Sequence, residues 1–202
     1  MISRLNSVQL AHVECISNHE LASRLMKDIA SGVAFVTCSE LSQLSVFPYE
    51  PSKSVSVWQN LGGCLDDPLL FAETVLSNKI SNIVVLGHYP CALLELALNW
   101  DPLAVKMSKK TLEEAAARVS ELRASIDNKF GLSRNAEVMR KASEEHVICQ
   151  LSKVAALLPE IESRSGRTIR LHGWLLVDEE LRCLDPERRQ FVSVRDIAYS
   201  VP

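Results

Sequence analysis

The sequence predicts an α/β fold with a largely parallel central sheet flanked by helices, and three observations predict it. Val33–Cys38 (VAFVTC) and Ile83–Leu86 (IVVL) are short, unbroken apolar runs rich in β-branched residues. Such runs fit parallel strands, which are buried on both faces. Between the strand-like runs lie segments whose apolar residues recur at three and four, the spacing of a helix face. The order along the chain is helix, strand, strand, helix, strand, helix, helices, strand, and that alternation builds a parallel sheet.

The first helix covers about residues 17–30, with Leu21, Ala22, Leu25 and Ile29 at helical spacing, Asn18 as its N-cap and Gly32 closing it. A strand follows at Val33–Thr37. Residues 39–54 are polar, carry Pro48 and Pro51, and read as a loop over the sheet edge. Val55–Trp58 is a second strand. It runs into Gln59-Asn60-Leu61-Gly62-Gly63, whose paired glycines permit close backbone approach or positive φ. Asp66-Asp67-Pro68 opens a helix reaching Asn78 through Leu69, Leu70, Ala72, Val75 and Leu76. The third strand stops at Gly87. Pro90 suits the first turn of the next helix, which good helix formers carry to Leu98. Asn99–Pro102 breaks the pattern. Thr111–Ile126 reads as a charged amphipathic helix, and Asn135–Leu158 as one or two helices ending before Pro159. Thr168–Val177 is a last core strand, with Leu181–Leu184 beside it as a C-terminal edge hairpin. No repeat, low-complexity tract or linker divides the chain, so one domain over residues 1–202 is expected, with residues 1–30 as an N-terminal helical arm.

Composition excludes several classes of function. Net charge is −3 with acids and bases interleaved, so the clustered basic face that nucleic acid requires is absent. No apolar run approaches about 18 residues, so no membrane span is expected, and the first residues lack the apolar core of a secretory signal. The six cysteines are widely spread, unlike those of a small disulfide scaffold, and indicate a reducing, cytoplasmic compartment.

The chemistry concentrates where the third strand turns into its helix. His88 and Cys91 sit three residues apart in that turn, and imidazole plus thiolate is a local pair that Zn2+ takes from one segment. The helix N-terminus beside Cys91 favours the thiolate. Cys38 ends the other apolar strand of the same kind. If the two strands are parallel neighbours, Cys38, His88 and Cys91 converge at the carboxyl edge of the sheet, where open α/β sheets hold ligands. Any one of the three alone reads as a buried thiol or a hydrogen-bonded histidine; together they read as zinc ligands. A structural zinc takes four protein ligands, and Glu40 is the candidate for the fourth. The other reactive side chains have plainer readings. His172 is structural or at an interface, His146 in SEEHV is exposed, and His12 and His19 belong to the arm and a subunit contact. Cys15, Cys64, Cys149 and Cys183 pack or lie at surfaces. Trp58, Trp100 and Trp174 anchor core or interface, and Lys109–Arg123 is a solvated helix face.

With these residues placed, the chain resembles the β-class carbonic anhydrases from about Gly32 to Phe191. That family carries C-x-D-x-R after its first core strand, an R-N-x-x-N-like stretch after the second, G-H-x-x-C-G after the third and H-G-W late in the chain. Here these read Cys38-Ser39-Glu40-Leu41-Ser42, Gln59-Asn60-Leu61-Gly62-Gly63, Gly87-His88-Tyr89-Pro90-Cys91-Ala92 and His172-Gly173-Trp174. The resemblance implies a β-carbonic-anhydrase-like fold, reversible hydration of carbon dioxide to bicarbonate, Zn2+ held by Cys38, His88 and Cys91, and a homodimer or larger even-numbered assembly whose N-terminal helix lies over the neighbouring subunit. It places Gln59, Gly62 and Gly63 at the substrate and Glu40 in the catalytic position. The family's Asp–Arg dyad is not retained. Glu40 stands for the aspartate and Ser42 for the arginine that holds it off the metal, with Lys53 the nearest basic residue; Gln59 stands for the second-stretch arginine and Glu50 for a substrate-side glutamine. Glu40 then has two states. It either reaches the zinc and closes the site, or hydrogen-bonds a water there and leaves it open. Two functions follow: a carbon dioxide hydratase, or an inactive homologue that keeps zinc for folding and serves in anion binding or protein assembly.

Overall fold

A computed structural model describes residues 12–27, 32–41, 55–99, 109–131 and 135–198. Among them the strands are β1 (Gly32–Cys38), β2 (Val55–Asn60), β3 (Ile80–Tyr89), β4 (Arg170–Val177), β5 (Glu180–Asp185) and β6 (Gln190–Ser193). The helices are α1 (Asn18–Lys27), α2 (Pro68–Ser77), α3 (Ala92–Asn99), α4 (Lys109–Phe130), α5 (Ala136–Ala155), α6 (Leu158–Ser165) and α7 (Val194–Ala198). One sheet runs in the order β2-β1-β3-β4-β5-β6. The first four strands in that order pair in parallel, and β5 and β6 extend it antiparallel. The expected α/β fold with a largely parallel sheet is therefore the one that forms.

Side-chain alternation along β1 divides the core into two layers. Ala34 and Val36 face a cluster shared with α2, α5 and α6, while Val33 and Phe35 face one shared with α1, Trp174 and Cys183. All of β1 is buried, which is why its sequence reads as a continuous apolar run. Helix α5 lies close on β3 and β4. A Cβ at Gly87 would stand 2.4 Å from Val147, and one at Gly173 2.7 Å from Leu151, so neither position has room for a side chain. Asp67 caps α2 by accepting from the Leu70 amide at 2.9 Å, as the Asp-Asp-Pro start implies.

Several expectations need correction. Pro90 is not in the first turn of a helix; the Tyr89–Pro90 peptide is cis, and α3 begins at Ala92. Pro159 does not mark a stop. It occupies the first turn of α6, a position that tolerates its missing N–H. The edge is longer than a hairpin, because β6 and α7 follow β5. His146 is buried, not exposed. The arm beyond residue 11 finds a place in its own chain, with Ile16, Leu21, Ala22 and Leu25 packing onto Phe35, Leu86 and Trp174.

Candidate metal centre

The parallel register brings the strand ends together. Cys38 pairs across to Asn60 of β2, and Thr37 pairs with Leu86 of β3, so Cys38 and His88 leave the sheet at one edge. The chain then turns at residues 39–40, with the Leu41 amide donating to the Cys38 carbonyl at 3.0 Å, and Glu40 returns toward that edge. The ligand atoms of Cys38, Glu40, His88 and Cys91 all lie within 4.8 Å of one another. Glu40 Oε2 is 3.6 Å from Cys38 Sγ and 3.5 Å from His88 Nε2, and it accepts the Ala92 amide at the start of α3 at 2.8 Å. That amide is one of the unpaired donors of a helix N-terminus.

The donor set fits a zinc ion. His88 Nε2 is shut off from solvent and makes no well-formed hydrogen bond, Glu40 Oε2 standing 3.5 Å away, an arrangement that costs free energy unless a ligand takes its lone pair. A hydrogen bond from Cys91 holds the Cys38 thiol far below its ordinary value, at about 3, with smaller help from His88 and the Glu40 and Gly62 amides. The same pairing, with burial, pushes Cys91 up. Two sulfurs thus share one proton, which a dication would displace. Two thiolates, an imidazole and a carboxylate are donors that zinc takes.

The glycine loop serves Cys38 directly. The Gly62 amide donates to Cys38 Sγ at 3.2 Å. Gly62 has φ +83° and Gly63 has φ +61°, and a Cβ on Gly63 would stand 2.9 Å from the Thr37 carbonyl carbon. Gln59 donates its side-chain amide to the carbonyls of Cys38 at 3.2 Å and Leu41 at 2.6 Å, so it braces the turn that carries Glu40. Asn60 ties the loop to Cys64 in both directions at 2.7 Å, and Gln150 of α5 accepts the Leu65 amide at 3.0 Å. Ser42, Glu50, Lys53 and Trp100 lie outside the described residues.

One contributor escaped the sequence reading. His146 Nε2 donates to the Gly62 carbonyl at 2.6 Å, which fixes the peptide whose amide neighbour serves Cys38. Burial lowers its pKa against the opposing pull of that hydrogen bond, so the ring is neutral. The charges around it hid its place, yet Ser143, His146, Val147, Gln150 and Leu151 follow a helical stripe, and all are buried. His172 is structural: its nitrogens meet the Glu14 carbonyl at 3.3 Å and the Asn82 side-chain amide at 3.2 Å.

The carbonic anhydrase profile matches residues 67–179, more than half of the chain. The chain belongs to the carbonic anhydrase family. Solved structures place its fold in the β class. The β-carbonic anhydrase CcaA superposes with a TM-score of 0.66 at 19% identity, over 87% of this chain and 83% of that one. A Coccomyxa β-carbonic anhydrase in complex with acetazolamide gives 0.59 at 22% identity, over 88% and 82%. A tetrameric β-carbonic anhydrase of Sordaria macrospora gives 0.57 at 13% identity, over 88% and 92%. No curated protein matches the sequence. At these identities this is a divergent carbonic anhydrase homologue. Among the described residues, no helix of this family member is long and apolar enough to cross a membrane.

Proposed function

We propose that this carbonic anhydrase homologue binds one zinc ion per chain and catalyses the reversible hydration of carbon dioxide to bicarbonate at a low rate. One observation carries the reading: four donor atoms lie within 4.8 Å, and His88 Nε2 among them has no other partner. Cys38, His88 and Cys91 would hold the ion. When bound, zinc supplies a Lewis acid that brings the pKa of water towards about 7 and makes it a nucleophile near neutral pH. Glu40 is the catalytic carboxylate, positioned to accept a hydrogen bond from that water and orient it. The Ala92 amide also fixes Glu40 at the fourth corner of the donor set, where it competes with water, and this competition makes turnover slow. We assign the substrate, carbon dioxide or bicarbonate or a similar small anion, to the loop of Gln59, Gly62 and Gly63. With the Gln59 N–H groups tied to backbone carbonyls, recognition there falls to the backbone and to shape.

The Glu40–Ala92 hydrogen bond also favours a second reading, in which the carboxylate closes the site permanently and zinc serves folding, with a role in anion binding or assembly. Carbon dioxide hydration by stopped flow, on protein whose zinc content is measured, separates the two. We expect slow wild-type turnover, and a rise of about tenfold or more in the Glu40→Asp/Ser42→Arg variant, which rebuilds the family dyad; such a gain is about 1.4 kcal/mol off the barrier. An inert zinc-loaded wild type whose Glu40→Ala variant gains turnover supports the closed site. Wild type as fast as the rebuilt variant refutes the dyad argument.

We also propose a homodimer or larger even assembly in a reducing, cytoplasmic compartment. The Sordaria relative is a tetramer. The large apolar side chains Val57, Leu69 and Leu70 are 40%, 75% and 56% exposed in the single chain, which gives a second copy something to cover. Light scattering at micromolar concentration tests this, and a monomer counts against it.

A further inference from the structure

Cys15 and Cys183 form a second cysteine pair, on the opposite layer of the sheet from α5, that the metal centre does not use. Cys183 lies on β5 opposite Trp174 and is fully buried. Cys15 is half-buried, in a segment held along β4 by the Val13–Leu171 bridge and by the Glu14 amide donating to the Leu171 carbonyl at 2.9 Å. The next carbonyl, that of Ile16, accepts from Trp174 Nε1 at 3.2 Å and from Cys183 Sγ at 3.0 Å. Cys15, one residue before that carbonyl, packs against the same apolar cluster as Cys183.

We propose that Cys15 and Cys183 are a thiol–disulfide exchange site, which a small disulfide of the oxidised-glutathione class converts into an intramolecular disulfide. Cys15 is the attacking thiol because it is the more exposed, and because the neighbouring Cys183 side chain holds its pKa below the ordinary thiol value. Burial opposes that effect, as do Asp185 and Glu20, while Arg188 assists it. Cys183 is held up by the same pairing and by burial, so it is the resolving thiol. The Cys15 thiolate attacks one sulfur of the small disulfide and releases the first small thiolate, leaving a mixed disulfide on Cys15. Cys183 gives its proton to a departing thiolate and attacks the Cys15 sulfur, releasing the second small thiol. Two protein thiols are oxidised by two electrons, and the small disulfide is reduced to two thiols. The product ties the segment before α1 to β5. Burial instead pushes Cys64 up to about 12 and raises Cys149, which makes both poor nucleophiles.

The test treats the full zinc-loaded chain with oxidised glutathione and maps its peptides without reduction. We expect loss of two hydrogens, a Cys15–Cys183 cross-link, and a rise in Tm of about 5–10 °C that dithiothreitol reverses. Cys183→Ser should stop at a stable glutathione adduct on Cys15, and Cys15→Ser should give neither product. A wild-type adduct on Cys15 that never resolves, or a Cys15 that does not react, overturns the proposal. A Cys38–Cys91 cross-link would count against the zinc reading alone, since it appears in different peptides.

Discussion

Among the described residues two cysteine pairs each have a histidine on an adjoining strand, and only one of them belongs to a group of donors that could hold a metal ion. In both pairs the neighbouring sulfur lowers one thiol's pKa and raises the other's. The histidines differ. His88 Nε2 makes no well-formed hydrogen bond, whereas His172 has both nitrogens engaged, at 3.3 and 3.2 Å. The fourth groups differ as well. Beside Cys38 stands the carboxylate of Glu40 at 3.6 Å; beside Cys183 stands the Ile16 carbonyl, already accepting from Trp174. Nearby sulfurs therefore do not make a metal centre by themselves. A third group free of hydrogen bonds and a fourth that is a carboxylate, with lone pairs beyond the one the Ala92 amide takes, do, because a ligand fully bonded within the protein has to give up a bond to bind.

Removing one sulfur from each pair should break the contrast most widely. Cys38→Ser should abolish stoichiometric zinc and lower unfolding stability by about 5 kcal/mol or more, because metal binding free energy is also folding free energy. Cys183→Ser should keep its zinc and lose only about 1–2 kcal/mol, the ordinary cost of disturbing a small buried side chain. Elemental analysis and denaturant unfolding, each with and without chelator, measure both. Equal losses with unchanged zinc in the two variants would remove the distinction.

The half that carries Cys38 and His88 was legible in the sequence because its central strands are buried on both faces. Continuous apolar runs announced β1 and β3, and parallel pairing followed from the alternation with helices. The other half was less legible. β6 has four residues and lies at the sheet edge, too short to stand out from a turn. Pro159 carries the same signal at a helix start as at a helix stop, so α6 was hidden. At the site, Cys38, Glu40, His88 and Cys91 could be placed together from two strand ends. The partners of Gln59 and His146 could not, because a hydrogen bond to a backbone carbonyl leaves no pattern in residue spacing.

The two histidines should also differ in their response to acid. Burial holds His172 down at about 4, below an ordinary value of 6.5. A depressed histidine contributes its full stability above the unfolded pKa and loses it as pH falls through the folded one. Stability should therefore decline from about pH 6.5 to about pH 4, by about 3 kcal/mol from this group. His146, lowered by burial too, adds to the same slope. His172→Gln should flatten the decline without changing zinc content at neutral pH. Urea unfolding across this window measures it, and an unchanged slope would mean that His172 does not titrate with folding.

The smallest expected effect concerns a backbone donor on the metal side, the Gly62 amide at 3.2 Å from Cys38 Sγ. Gly62→Ala places a side chain at φ +83°, where its Cβ would lie 2.1 Å from Leu93 Cδ2. Leu93 is fully buried and its Cβ and Cγ also lie 3.2 Å from the added carbon, so a core clash adds to the backbone cost of about 2 kcal/mol. Gly131→Ala is the control: its φ is +67° with nothing within 4 Å of the added carbon. Gly62→Ala should lose more stability than Gly131→Ala. Only Gly62→Ala should weaken zinc, by about 10-fold or more, because only there does backbone adjustment turn an N–H away from a ligand sulfur. Competition titration with a zinc chelator reads this directly. Equal zinc affinity in the two variants would show that the Gly62 amide gives Cys38 nothing beyond a place in the turn. The contrast between the two cysteine pairs would then rest on His88 and Glu40 alone.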